Sequence, residues 1–236
     1  MLGTYLKGAT AAGGSGSLVL TQPTPIVATG STTTTHSSLN AGVESDDRIL
    51  IVALECTGGT SSYITGVTIG GVTASRRAGK TANDFVQADI WSAVVPTGTS
   101  VDVTVTRSSG TNTARVFLYS AIGHNNTDWT GGTDFQASNT STALMDVTLD
   151  IASGGTGVAI YTGLNIQITA SRVWAGLTSD EADDEAVDTS SSAVPGDIKL
   201  TSVASDTNMS GGLTNISFDT SDTIRRRPAF AAAAFT

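Results

Sequence analysis

The chain of 236 residues has little of what several common fold and function classes need. Cys56 is its single cysteine, which excludes an intrachain disulfide and a cysteine-based metal cluster. No stretch approaches the ~18 apolar residues that a membrane-spanning helix requires. The first twenty residues lack the basic start and unbroken apolar core of a secretory signal. We therefore expect a soluble chain, made in a reducing compartment, that has no membrane partner.

Charge is also scarce and mostly of one sign. Charged residues make up 14% of the chain, with 12 Lys and Arg against 21 Asp and Glu, which gives a formal net charge of -9. A chain of this sign repels nucleic-acid phosphates and offers few cations to neutralise them. We therefore expect no nucleic-acid partner.

The most abundant polar and small residues disfavour helices. The sequence holds 38 Thr, 27 Ser and 26 Gly, which are respectively β-branched, prone to local backbone hydrogen bonds, and costly in backbone entropy. The hydrophobic residues, 39% of the total, are spread over the whole chain, so a packed fold is expected. This composition indicates an all-β protein that is rich in turns.

Residues 1–42 differ in composition from the rest. Gly13, Gly14 and Gly16, then Pro23 and Pro25, and then a Ser/Thr run over 31–35 interrupt short apolar pieces, which are too short to enclose a core. The segment is predicted to be an extended N-terminal arm. It is either a free terminus or an arm whose pieces 17–21 and 25–28 add strands to a neighbouring subunit.

Strand signals are dense from residue 43 to residue 236. Ile49–Leu54 is a continuous apolar run typical of a strand buried on both faces, and Gly70-Gly71 predicts a hairpin turn. Valines alternate with polar residues over 101–106, as in a half-buried strand. The terminal Ala231–Ala234 favours a helix locally, but its flanking phenylalanines favour a closing strand. The sequence predicts an antiparallel, jelly-roll-like β-sandwich of two sheets over 43–236.

A resemblance follows from several of these segments. They are DRILIVALEC (47–56), ITGVTIGGVTA (64–74), DIWSAVVPTGTSVDVTVTRS (89–108), ARVFLYSAIG (114–123), TGVAIYTG (156–163) and VWAGLTSDEADDEAVD (173–188). From residue 42 onward the chain resembles a β-sandwich family that recurs among virion proteins of tailed bacteriophages. The matching motifs are structural, so the resemblance implies a particle component and supplies no catalytic residues.

The resemblance implies a non-enzymatic virion protein that is made in the bacterial cytoplasm and needs no cofactor. We expect a head decoration or head-fibre protein, with capsid or tail subunits as partners. Homo-oligomers are expected, and a trimer is compatible with side-by-side sandwiches. One alternative is a tail-fibre or tail-tip protein, and another is a carbohydrate-binding module for host attachment.

The residues offer little support for catalysis. His36 and His124 are the only histidines, both in polar surroundings, and no GxSxG elbow accompanies them. A glycosidase needs two carboxylates about 5 to 10 Å apart. The strand carboxylates Asp89, Asp102, Asp146 and Asp150 are the available acids. No catalytic residue is assigned, and we expect a protein that is not an enzyme.

Two charged clusters are the remaining candidate contacts. Six acidic residues lie together without a base between them: Asp180, Glu181, Asp183, Asp184, Glu185 and Asp188. Such a loop is predicted to be solvated, with calcium binding through Asp180, Asp183 and Asp184 and docking of a basic partner as alternatives. The run Arg225, Arg226 and Arg227 is the complementary feature, and we hypothesise that it contacts an acidic loop within or between subunits.

One aromatic residue stands out among the three tryptophans. Trp129 follows a polar stretch, 125–128, and precedes two glycines, so it is predicted to lie exposed in a loop. An exposed aromatic there is a candidate contact for a partner or a host-surface glycan. Trp91 and Tyr119 lie in strand patterns and are predicted to be buried.

Overall fold

The structure is a computed structural model. It describes residues 16–29, 32–57, 63–82, 86–108, 113–124, 129–135, 144–164, 172–180, 184–187, 198–207, 209–220 and 226–235. In these ranges every regular element is a β-strand, which confirms the all-β class. They include no helix that is long and apolar enough to cross a membrane.

The described residues form eighteen strands. They are β1 (Ser17–Thr29), β2 (Thr33–Asn40), β3 (Ile49–Thr57), β4 (Ile64–Ile69), β5 (Val72–Thr73), β6 (Ser75–Ala82), β7 (Val86–Val94), β8 (Ser100–Arg107), β9 (Thr113–Ile122), β10 (Trp129–Phe135), β11 (Leu144–Ile151), β12 (Thr156–Leu164), β13 (Arg172–Ala175), β14 (Thr178–Ser179), β15 (Asp184–Val187), β16 (Ile198–Asp206), β17 (Gly212–Thr220) and β18 (Arg226–Phe235). Every pairing between them is antiparallel.

The strands form four sheets, which we number by their position in the stack. Sheet I has the order β2-β8-β4-β5, and sheet II has the order β1-β9-β3-β7-β6. Sheet III has the order β10-β18-β12-β16-β14, with β15 also paired to β16. Sheet IV has the order β11-β17-β13.

Three separate cores hold the sheets in a stack. Alternate residues of β3 explain the arrangement: Leu50, Val52 and Leu54 pack with sheet I, whereas Ile49 and Ile51 pack with sheet III. The side chains of β18 alternate in the same way, so Ala231 packs with sheet II and Phe230 packs with sheet IV. Sheets II and III are therefore covered on both faces, and the layers follow the order I, II, III, IV.

The two halves of the chain repeat one topology. Adding nine to the number of each strand in sheet II gives the order β10-β18-β12-β16-β15. This is the strand order of sheet III when β15 is taken as its edge strand. Sheet IV repeats β2-β8-β4 of sheet I in the same way. Equivalent turns follow β4 and β13, with Gly71 at φ 79° and Gly176 at φ 80°. The fold is thus a tandem of two equivalent sandwiches, over 17–122 and 129–235.

Several strand predictions are confirmed. Ile49–Leu54 is fully buried in the centre of sheet II. Gly70 and Gly71 both have positive φ, as the two-residue hairpin turn between β4 and β5 requires. Ala231–Ala234 is part of β18, which lies between β10 and β12. Its small side chains fit between two covered faces, so tertiary packing overrides their helix propensity.

Two features of the organisation come from the tertiary structure. The pieces 17–21 and 25–28 belong to one strand, β1, which pairs with β9 of the same chain, and the Ser/Thr run continues into β2, which pairs with β8. From residue 43 onward the described strands belong to two stacked sandwiches, the first of which also contains β1 and β2. Sequence patterns show which residues are apolar, but they do not show which sheet each one faces.

Candidate functional site

A cleft of about 450 Å³ opens at one end of the first sandwich. It lies between the Gly70-Gly71 turn and the turn from Pro96 to Ser100, and Val95 and Val101 contribute apolar side chains to its lining. Asp102 supplies the one carboxylate of the lining, and its Oδ1 accepts the Ser38 N–H at 2.9 Å. These groups can bind a small polar molecule or a partner side chain.

Arg48 holds one wall of this cleft in place. Its side chain is fully buried, and Nη2 donates to the carbonyls of Thr97 and Gly98, both at 2.8 Å. Nε donates to the Val95 carbonyl at 2.7 Å, and Nη1 reaches the Val43 carbonyl at 3.0 Å. Burial lowers the pKa of the Arg48 guanidinium from its usual value, although Glu44 partly opposes this shift. The turn beside the cleft is therefore organised by backbone carbonyls around one cation.

Asp89 is the most deeply buried of the strand carboxylates named above. It accepts a bond from Arg76 at 2.6 Å, one from Gln87 at 2.7 Å and one from Trp91 at 3.2 Å. Burial raises the pKa of the Asp89 carboxyl, and the bonds from these three donors partly offset the shift. Gly79 is required beside it, because a Cβ there would lie 1.9 Å from Asp89 Oδ1. Asp89 therefore connects β7 to the edge strand β6 through its bond with Arg76.

The strand carboxylates do not converge into a glycosidase pair. Asp102 lies exposed on sheet I, whereas Asp146 and Asp150 lie on sheet IV at the other end of the stack. Asp146 and Asp150 are four residues apart on β11, a span of about 13 Å at the usual rise of a strand. The separation needed for that chemistry is about 5 to 10 Å.

Trp129 lies at a corner between the two sandwiches. It begins β10 instead of lying in an exposed loop, and its ring packs on Phe235 at a centroid distance of 4.2 Å. The Arg77 guanidinium lies 4.7 Å from the centre of the Trp129 ring. The ring is partly exposed and contacts both Phe235 and Arg77, and its role as a glycan or partner contact stays a prediction.

His124 occupies the same corner. Its ring meets Phe235 edge to face at 5.0 Å, and Nε2 lies 3.3 Å from the Thr156 hydroxyl. Burial lowers the pKa of His124, and the nearby Asp47 carboxylate partly opposes the shift. Gly16 must be small here, because a Cβ would lie 2.3 Å from the imidazole. These contacts give His124 a packing role at the junction of the sandwiches.

Asp180 links the acidic region to the first sandwich. Its Oδ2 accepts the Tyr119 hydroxyl at 2.9 Å, across the interface between the sandwiches. Burial raises the pKa of Asp180 above its ordinary value of 3.8, and the hydrogen bonds with Ser205 and Tyr119 partly offset the shift. The first residue of the predicted solvated loop is therefore half-buried and makes a tertiary contact.

The other charged candidates are separated in sheet III. Glu181, Asp183, Asp188 and Arg225 lie outside the described residues, whereas Asp184 and Glu185 begin β15, and Arg226 and Arg227 begin β18. Strands β12 and β16 lie between β18 and β15, so the backbones of β18 and β15 are about 14 Å apart at the usual strand spacing. A contact of the Arg run with the acidic residues, within or between subunits, stays a prediction.

The described residues hold no group of three or more His, Cys, Asp or Glu side chains suited to a metal ion. The calcium hypothesis stays a prediction, because Asp183 lies outside them.

A row of threonines crosses the outer face of sheet I and was not predicted. Thr35, Thr104, Thr68 and Thr73 are successive register partners across β2, β8, β4 and β5. The Thr35 and Thr104 hydroxyl oxygens lie 3.1 Å apart. The Thr run at the start of β2 and the alternation of threonine with valine in β8 are visible in the sequence, but only the register shows that the strands align these threonines. The result is a face dominated by hydroxyl and methyl groups.

Comparison with known proteins gives little. No protein-family model matches the chain, and no curated protein matches it. The crystal structure of PBSX exported protein XepA is similar at 8% identity, covering 93% of this chain and 87% of that one, with a TM-score of 0.23. The tandem CBM22-1-CBM22-2 domain of Paenibacillus barcinonensis Xyn10C is similar at 9% identity, covering 94% of this chain and 91% of that one, with a TM-score of 0.23. Likeness at this level carries no argument about function.

Proposed function

We propose that this chain is a non-enzymatic structural component of a bacteriophage-like virion, a head decoration or head-fibre protein. The observation that carries the proposal is the four-layer stack, in which both middle sheets are covered and each outer sheet keeps one free face. Sheet I carries a row of threonines across its outer face, and sheet IV exposes Leu144, Val173 and Leu213, so both outer sheets offer surfaces for packing against other subunits. The particle setting rests on the sequence resemblance of residues 42–236.

The ionisable groups of the structure support a structural role. Among the described residues, those with a shifted pKa all tie parts of the fold together, as Asp180 does through Tyr119 and Asp89 through Arg76. This set comprises Asp47, Arg48, Arg77, Asp89, His124 and Asp180. Catalytic groups are also commonly shifted, but they face a cleft that substrate can enter. The cleft beside Asp102 has none of these six in its lining.

Electron microscopy of intact phage particles with a gold-labelled antibody to this chain tests the proposal. We expect label on the head, in a regular arrangement. Label confined to the tail would replace the head assignment with a tail-fibre or tail-tip role. Antigen that is abundant in the lysate but missing from purified particles would contradict a virion function. Antibody pre-adsorbed with the purified chain is the control.

The carbohydrate-binding alternative depends on aromatic side chains at the surface. Trp129 is partly exposed and contacts Phe235 and Arg77, and Trp91 is buried. Tyr63, which is 50% exposed, is the aromatic side chain that the described surface offers most openly. A glycan array with Tyr63→Ala as the matched variant is the appropriate test of that alternative.

A further inference from the structure

The outer face of sheet IV carries several exposed apolar side chains. Leu144 on β11, Val173 on β13 and Leu213 on β17 are 47%, 55% and 80% exposed. They alternate along their strands with side chains that pack toward sheet III, such as Met145 and Ile216. In the described part of the chain, three of the eight exposed large hydrophobic side chains thus lie on one sheet of three strands. Exposed apolar side chains that share a face mark sites of interaction.

The fold does not require apolar side chains at these positions. Counting three residues back from the equivalent glycines Gly71 and Gly176 leads to the same row of each outer sheet. In sheet I this row consists of Thr35, Thr104 and Thr68, and in sheet IV it consists of Leu144, Asp219 and Val173. Because the first sandwich forms with threonines in this row, folding does not explain the exposed leucine and valine of the second.

The charges on the same face have one sign. Its described charged side chains are Asp146, Asp150 and Asp219. Asp219 lies in the row between the exposed leucine and valine, and Asp150 lies opposite Leu213. A long basic side chain can pack its apolar stem on such neighbours while its charged end meets the carboxylate. The face therefore suits a ligand that is both basic and apolar.

The rows of the face repeat with the period of an extended chain. Leu144 and Asp150 are six residues apart on β11, so the two end rows are about 20 Å apart at the usual rise of a strand. An extended segment parallel to the strands places one side chain over each row, because its side chains on one side also repeat every two residues. Four such side chains span the face.

A second copy of this chain is a poorer occupant. The three strands, with eight residues in β11, present a face of only about 350 Å² at the usual strand dimensions. A stable interface buries about 800 Å² on each partner. Packing this face on itself would also bring carboxylates against carboxylates. Sheet I has no exposed base among its described residues, so it does not complement the face.

We propose that the outer face of sheet IV binds an extended basic segment of another protein. Its end side chains are apolar and cover the rows of Leu144 and Leu213, and its two middle side chains are basic. Asp146 and Asp219 are diagonal neighbours about 7 to 8 Å apart, so one arginine can lie between them, and the second base lies near Asp150. The inference does not depend on the particle function, because the same chemistry would recognise a partner outside a virion.

Nuclear magnetic resonance with the full-length, ¹⁵N-labelled chain tests the proposal. The probe is the capped peptide Leu-Ser-Arg-Ser-Arg-Ser-Leu, whose leucines and arginines lie on one side when it is extended. At millimolar concentration we expect saturable shift changes confined to β11, β13 and β17. No saturable change on these strands would overturn the proposal. Changes spread over other acidic parts of the surface would mean unspecific attraction and would also overturn it.

Two matched peptides separate the contributions of charge and apolar contact. Replacing both arginines by glutamate should abolish the saturable changes, because the face carries carboxylates. Replacing both leucines by serine should weaken binding at least threefold, because the apolar rows then lose their contacts. Equal affinity of the arginine and glutamate peptides would contradict a basic ligand, and equal affinity of the leucine and serine peptides would contradict the placement of its ends.

Variants of the chain test the location independently of the peptide design. Leu144→Thr combined with Asp219→Thr gives sheet IV threonines in the row where sheet I has them, and it should weaken binding at least tenfold. Leu213→Ser changes a side chain that is 80% exposed, so it should leave the fold intact and weaken binding about threefold. Asp46→Asn removes a carboxylate from an exposed loop of the first sandwich and should leave binding unchanged. Unchanged affinity in both sheet IV variants, or an equal loss in Asp46→Asn, would overturn the proposal.

Discussion

At the scale of single residues, several buried or half-buried polar side chains connect distant parts of the chain. Arg48 reaches the carbonyls of Thr97 and Gly98, about fifty positions away, and Tyr119 reaches Asp180. The sequence singled out Asp180 because it lies in an acidic cluster, but its contact with Tyr119 was not predictable. Residue type and spacing do not report which polar group the fold will bury.

Asp180 should make stability depend on pH in a defined direction. Its folded-state pKa is raised above 3.8, so the folded state retains the proton more strongly than the unfolded state. The contribution of Asp180 to stability is therefore largest below pH 3.8 and is lost as pH rises through the folded-state pKa. Urea unfolding of wild type and Asp180→Asn should be measured from pH 3 to pH 7. The free energy of unfolding of the wild type should fall relative to that of the variant as pH rises.

Tyr119→Phe is the companion variant. It removes a hydrogen bond that lowers the pKa of Asp180, so the decline of stability with pH should extend to higher pH than in the wild type. A difference between wild type and Asp180→Asn that stays constant with pH, or that favours the wild type as pH rises, would contradict the assignment.

At the scale of strands, the sequence pattern predicts a strand where one or both of its faces are buried. The apolar run of β3 and the alternation in β8 predict strands, because burial repeats with the two-residue period of a strand. Strand β10 was missed, because WTGGTDF has the composition of a turn. Its glycines are explained by packing: β10 crosses the edge strand β6, and a Cβ at Gly131 would lie 2.1 Å from the Arg77 carbonyl oxygen.

Gly131→Ala should therefore destabilise the protein by about 2 kcal/mol or more, because either β10 or β6 must move. Gly66→Ala is the matched control. Gly66 lies in the strand β4, and a Cβ there meets nothing within 4 Å, so this change should cost less than about 0.5 kcal/mol. Urea unfolding of both variants measures the difference. Equal stability of the two variants would show that β10 does not approach β6 this closely.

At the scale of the whole molecule, the central interface makes one body of two sandwiches. Sheets II and III share a continuous apolar core to which Ile51, Phe117, Ile160 and Ala231 contribute, all nearly or fully buried. Neither sandwich can separate without exposing this face to water, so the two are expected to unfold together. The repeated strand order makes the two units equivalent, and they share this core.

Calorimetry should show one transition, with equal calorimetric and van't Hoff enthalpies. Phe117→Ala removes a buried ring from the central core and should cost about 3 to 5 kcal/mol. For a chain of this size the Tm should fall by about 6 °C or more, still in one transition. Val72→Ala, at a side chain that is 43% exposed, should change the Tm little. Two resolved transitions in the wild type would show that the sandwiches are independent.

The sequence by itself determined the all-β class, the central strands β3 and β8, the hairpin at Gly70-Gly71 and the strand character of the closing Ala run. These depend on local periodicity and turn chemistry, which act over a few residues. Tertiary structure decided that the described chain forms two equivalent sandwiches, that β1 and β2 join the first one, and that Trp129 and Asp180 lie at their junction. Those outcomes depend on which apolar faces pack together. Hydrophobic burial is non-directional, so the pattern of an apolar face does not specify the sheet that will cover it.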